Sequence, residues 1–205
     1  MSETIESFLE HIAAPTPTPG GGTVSAVAGA MGVALSRMAA SLAVGKPGYE
    51  AVQSDLAAIE AQGKALQQRF LDLAAEDARA YEGVVEAMRR PKGTDAEKAA
   101  RKAGMQEAFK RATDVPLETM RAALEALELS RLAADKGNKN AVSDAGVAAL
   151  LAEAALRGAA LNVRINLAAI SDRAWRDGKV AELDALLQKG AGLAHAIDVL
   201  VASKM

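Results

Sequence analysis

Three observations predict an all-α fold, one domain built as a multi-helix antiparallel bundle over residues 1–205. Hydrophobic residues make up 50% of the chain, alanine foremost, and they recur at helical spacing. The β-branched alternation of strands is missing almost everywhere. Neither an internal repeat nor a domain linker interrupts the 205 residues, a length that suits a single sizeable core.

The elements follow in order. Ile5, Phe8, Leu9 and Ile12 mark a short amphipathic helix. Pro15, Pro17 and Pro19 then forbid helix and lead into Gly20-Gly21-Gly22. A second helix is expected from near Thr23 to about Val44, with an apolar stripe of Val24, Val27, Met31, Leu35, Met38 and Leu42. Its opposite face carries Ser25, Gly29, Gly32 and Ser36, small residues that let another backbone approach. The longest periodic stretch runs from about Tyr49 to Met88. Its heptad-like seam is Val52, Leu56, Ile59, Gly63, Leu66, Phe70, Leu73, Asp77, Ala80, Val84 and Ala87. Pro91-Lys92-Gly93 ends it, and Thr94 with Glu97 forms a capping box for the next helix. At Pro116 a kink or a fresh helix start is expected. A polar turn at 135–140 precedes a helix from about Asp144 to Ala169, with Ser143 as its N-cap. A last helix is expected from about Lys179 to Val201.

Composition excludes several classes of function. Aromatics are 3% and the net charge is −2, so neither base-stacking platforms nor a basic nucleic-acid footprint is present. Without cysteine there are no disulfides, thiol nucleophiles or cysteine-ligated metals, and two histidines do not build a multi-histidine site. Both His11 and His195 lie on amphipathic patterns without catalytic partners. No metal site is expected. Met1 to Ile12 lacks the basic start and apolar run of a signal peptide. Charges interrupt every apolar stretch before it reaches membrane-spanning length. A cytoplasmic protein without membrane partners is therefore the expectation.

Four features can carry chemistry. Gly20, Gly21 and Gly22 open a helix, so their amides and the helix dipole form an anion site in principle; a flexible connector is the alternative. Positive φ is expected at Gly21. Asp77 stands on an apolar seam, where it is paired with neighbours such as Arg79, solvent-facing, or a carboxylate with a raised pKa suited to acid–base work. Asn138, Lys139, Ser143 and Asp144 concentrate amide and charge around one turn. Asn162 and Asn166 lie four apart on one helix face, as members of a buried network or as ligand contacts.

The segment Thr16-Pro17-Thr18-Pro19-Gly20-Gly21-Gly22-Thr23 resembles the signature loop of the formiminotransferase–cyclodeaminase C-terminal family. The resemblance continues through Val44-Gly45-Lys46 and Tyr49, Asp77 with Tyr81, Pro116, Ser143-Asp144-Ala145-Gly146-Val147 and Asn162-Val163-Arg164-Ile165-Asn166. It implies a helical enzyme of folate one-carbon chemistry. Two reactions are open: hydrolysis of 5,10-methenyltetrahydrofolate to 10-formyltetrahydrofolate, and cyclisation of 5-formiminotetrahydrofolate with loss of ammonia. A domain standing without a formiminotransferase resembles the cyclohydrolase branch more. The resemblance implies a homodimer with its site at the subunit interface, and no metal or organic cofactor. Asp77 and Asp144 are the catalytic candidates. Gly20, Gly21, Gly22, Ser25, Lys46, Tyr81, Asn138, Lys139, Ser143, Asn162 and Asn166 are the candidates for holding substrate. A non-catalytic helical adaptor explains the periodicity equally well but leaves the proline–glycine loop and Asp77 without a role.

Overall fold

The computed structural model describes residues 3–205 and contains six α-helices, with no strand among the described residues. They are α1 (Ile5–Ala13), α2 (Gly21–Ser41), α3 (Gln53–Arg89), α4 (Asp95–Lys136), α5 (Val142–Leu167) and α6 (Arg173–Lys204). Helix α4 is the central element and packs against α3, α2, α5 and α6. Around it α3 lies beside α2, α2 beside α5, and α5 beside α6.

The α3 seam is largely as expected: Leu56, Ile59, Gly63, Leu66, Phe70, Leu73, Val84 and Ala87 are all buried. Elsewhere the core is dominated by alanine, which lets helices approach closely at little side-chain entropy cost. At Gly32 of α2 another backbone comes close, since a Cβ there would stand 2.7 Å from the Ala148 carbonyl oxygen of α5. Gly32 faces Ala148 and Leu151, while Gly21 faces Asn162, so α2 and α5 run antiparallel. The buried hydroxyls of Ser36 and Ser130 join α2 to α4 at 3.0 Å.

The capping box is present: Thr94 Oγ1 accepts from the Glu97 amide at 3.2 Å, and the Glu97 carboxylate accepts from the Thr94 amide at 2.9 Å. Several boundaries differ from expectation. Helix α2 begins at Gly21, with Gly20 as its N-cap, so two of the three glycines are helical. Positive φ occurs only at Gly45 and Gly48 among the described residues, not at Gly21. Ser143 is not an N-cap, because a 3-10 turn at Lys139–Ala141 runs straight into α5 and puts Ser143 in its first turn. Helix α6 starts earlier, where the Asp172 side chain accepts from the Trp175 amide at 3.2 Å.

Pro116 neither starts nor ends a helix, since α4 runs through it. Proline has no N–H, so the Ala112 carbonyl one turn earlier loses its helical donor. Asn166 of α5 supplies the replacement: its Nδ2 donates to Ala112 O at 2.7 Å.

The expectation about membrane-spanning length is also corrected. Gly21–Ser41, Lys139–Leu167 and Arg173–Lys204 are long and apolar enough to cross a membrane by length and composition. Much of the apolar surface of α2 and α5 is turned into the bundle, but not all of it. Val24, Met31, Met38 and Leu42 of α2, and Leu150, Leu161 and Ile165 of α5, are exposed.

Candidate functional site

Helix α3 carries Asp77 across the N-terminus of α2. Thr23 Oγ1 donates to Asp77 Oδ2 at 3.0 Å, and the Thr23 backbone N–H lies near enough to favour the same carboxylate's charge. The anion at this helix start is thus the protein's own. A helix start is a favourable place for such a negative charge. Gly22 makes the arrangement possible, because a Cβ there would lie 2.2 Å from Asp77 Oδ1. At Gly21 a Cβ would instead meet Asn162 Nδ2 at 3.5 Å, an ordinary contact.

Asp77 is half-buried. Desolvation pushes its pKa up, and the Thr23 hydroxyl and amide only partly oppose this. Asp77 makes no ion pair among the described residues, whereas Glu76, its neighbour in sequence, pairs with Arg69 at 3.1 Å. Asp77 is thus neither ion-paired with Arg79 nor fully exposed, and burial favours its protonated form. Such a carboxylate can exchange protons closer to neutrality than an ordinary aspartate. Tyr81 lies one turn further along α3 and is exposed. Asn162, whose Nδ2 donates to Gly158 O at 3.0 Å, sits across from Gly21. Asp77, Tyr81, Asn162 and the glycine turn therefore share one end of the bundle.

Three other predicted residues hydrogen-bond to backbone groups. Ser25 is buried and its hydroxyl donates to Gly21 O at 2.6 Å. Asn166 is committed to Ala112 O. Asn138 Nδ2 donates to Leu42 O at 2.8 Å, and its Oδ1 accepts from the Asn140 amide at 2.9 Å. These three side chains hold backbone together.

Lys46, Lys139, Ser143 and Asp144 gather at the opposite end, where the Lys139 amide donates to the Tyr49 hydroxyl at 3.0 Å. The length of α2 keeps the two ends about 30 Å apart. Within one chain, then, the two candidate carboxylates never meet. A cleft of about 1020 Å³ between α3 and α4 is lined by Glu76 and Ala80 but not by Asp77. No group of three or more acidic or histidine side chains that could hold a metal occurs among the described residues. Thr23 is the site residue that periodicity does not reveal. Its signal is its place in the first turn of a helix, but its partner lies 54 residues away.

The sequence profile of the formiminotransferase-cyclodeaminase family matches residues 4–185, and the chain belongs to that family. It is 45% identical to a methenyltetrahydrofolate cyclohydrolase of Methylorubrum extorquens, over 100% of this chain and 98% of that one. It is 31% identical to the formimidoyltransferase-cyclodeaminase of Sus scrofa, over 92% of this chain but 35% of that longer protein. The crystal structure of formiminotetrahydrofolate cyclodeaminase from Thermotoga maritima superposes with a TM-score of 0.89 at 30% identity, covering 98% of this chain and 96% of that one.

Proposed function

We propose that this chain is a methenyltetrahydrofolate cyclohydrolase, adding water to 5,10-methenyltetrahydrofolate to give 10-formyltetrahydrofolate. The full-length similarity to the Methylorubrum enzyme supports the choice of reaction. The observation that carries the chemistry is Asp77, half-buried, hydrogen-bonded to Thr23 and raised in pKa.

The substrate is an amidinium-like cation whose bridge carbon joins N5 and N10. The Asp77 carboxylate stabilises that cation and takes a proton as water adds to the bridge carbon. The tetrahedral adduct then breaks its bond to N5, which receives a proton relayed by Asp77. The adduct's hydroxyl proton is lost to solvent, leaving a neutral formyl group on N10. Cation plus water thus gives neutral product plus one proton. Tyr81 and Asn162 border the same space and suit substrate orientation, while exposed Lys46 and Lys139 suit its glutamate carboxylates. The reaction as written uses neither metal nor organic cofactor. The acidic, cysteine-free composition supports a cytoplasmic location.

The same reading includes a homodimer with the site between chains. Three observations support it. The candidate residues fall into two groups about 30 Å apart along α2. The exposed apolar stripes of α2 and α5 lie side by side. The chain's accessible area is 11144 Å², whereas a compact 21.1 kDa monomer exposes about 9,000 Å². The excess of about 2,000 Å² matches what each chain of an obligate homodimer hides. A two-fold axis lying in the interface and running across the helices would bring Asp77 of one chain to Asp144 of the partner subunit.

Loss of methenyltetrahydrofolate absorbance tests the reaction, against a blank for spontaneous hydrolysis. Acceleration well above the blank is expected. Ammonia release from 5-formiminotetrahydrofolate without that acceleration would favour the cyclodeaminase, the reading the Thermotoga structure supports. Light scattering tests the assembly: twice the 21.1 kDa chain mass is expected. A single-chain particle, or one that pellets with lipid vesicles, would overturn it.

A further inference from the structure

Helix α1 is the one element without a place in its own chain's core. None of its residues is buried, and it packs extensively on no other helix. Yet its apolar side is coherent: Ile5 and Leu9 are bare, with Phe8 and Ile12 beside them. Glu6 and Glu10 lie off that stripe. An isolated nine-residue helix is marginal in water, so an unpartnered apolar stripe calls for a cover.

A groove of about 500 Å³ between α5 and α6 offers a matching surface. Its apolar wall is Val147 and Leu150 of α5 with Ile197, Val201 and Met205 of α6 or its end, and Glu153, His195 and Asp198 stand at the same groove. Val147 and Leu150 are both exposed, and no described segment of the same chain fills the groove. Helix α1 enters α2 beside Asn162, about 18 Å along α5 from Leu150. The prolines at 15, 17 and 19 keep the connection out of helix. Arm and groove thus lie toward opposite ends of the antiparallel α2–α5 pair. The two-fold axis described above exchanges those ends.

We infer that α1 is an arm that docks its Ile5–Phe8–Leu9–Ile12 stripe into the α5/α6 groove of a second copy of this chain. The inference rests on the two-chain reading above and gives it a second contact surface. Ser143 lines the same groove, so the docked arm adjoins the Asp144 end of the site. Arm exchange then ties completion of the groove to completion of the site.

The absence of native cysteine makes a clean test possible. The double variant Leu9→Cys, Leu150→Cys alters two exposed positions and is treated with a short bismaleimide. The expected product is a covalent pair of chains at twice the 21.1 kDa mass, absent from either single variant. A cross-link at single-chain mass would place the arm on its own groove and overturn the inference. So would a covalent pair from Leu9→Cys alone, which would set two arms side by side. No cross-link in a variant that light scattering shows to be dimeric would overturn arm docking while leaving the dimer standing. A single-chain particle would remove both, and the absorbance assay on the unaltered protein judges the reaction independently.

Discussion

The two ends of α2 present the same ingredients to different effect. At its N-terminus a carboxylate from α3 reaches across to a helix start in another part of the chain. At its C-terminus Asp144 lies in the first turn of its own helix, α5. A carboxylate in its own first turn is an ordinary local complement to the dipole. Asp77 is brought in by tertiary packing, loses water, and has its pKa raised. The difference teaches that residue type and proximity to a helix start do not by themselves shift a carboxylate toward its protonated form. Burial without a cationic partner does.

The largest expected effect comes from removing the charge at the buried end. Asp77→Asn keeps an acceptor for Thr23 but cannot take a proton, so turnover should fall roughly 100-fold or more. Stability should move the other way. A raised folded-state pKa means that the charged form is disfavoured in the fold, so stability is lost as pH rises through that value. The variant lacks this loss. Its melting temperature at neutral pH should equal or exceed that of the parent, with the advantage shrinking as acid protonates the parent's Asp77. Near-native turnover would shift the catalytic role to Asp144 and erase the distinction between the ends.

A pair of glycine variants sharpens the comparison at the next level. Gly22→Ala drives a methyl into the Asp77 carboxylate and should lower turnover by roughly 10-fold or more by displacing it. Gly21→Ala meets only an ordinary contact with Asn162 and should leave turnover within about two-fold. Steady-state kinetics on both, with circular dichroism to confirm helix content, decides the matter. Equal losses would mean that the turn acts through flexibility and not through its fit to Asp77.

The smallest catalytic effect is expected where the sequence seemed to offer a ligand contact. Asn166→Ala leaves the Ala112 carbonyl without a donor and should cost about 1–3 kcal/mol of stability in a denaturant titration. The Michaelis constant should remain close to that of the parent. A large rise in that constant with unchanged stability would return Asn166 to the substrate.

These outcomes also measure how far the chain can be read unaided. The helices were legible because apolar spacing is local, and Asp77 stood out because it breaks an otherwise apolar seam. Thr23 was not, because a threonine near a helix start is commonplace until the carboxylate 54 residues away is seen. The Pro116–Asn166 relation was hidden for the same reason. A missing N–H on one helix is answered by an amide on another, and neither residue announces the other. The two-ended arrangement of the candidates was equally invisible, since sequence order says nothing about which end of an antiparallel pair a residue occupies.

In the mechanism proposed above, the clasp between Asp77 and α2 has an electrical consequence for each turnover. Whenever the carboxylate holds a proton, the positive pole of α2 loses the negative charge that faces it, an interaction worth about 0.3–1 kcal/mol near a surface and more when partly buried. The Thr23 amide feels this change directly. The chemical cycle is therefore written into the backbone as an alternating polarisation of one peptide group, and the nuclear resonance of that amide is a built-in gauge of the proton's whereabouts.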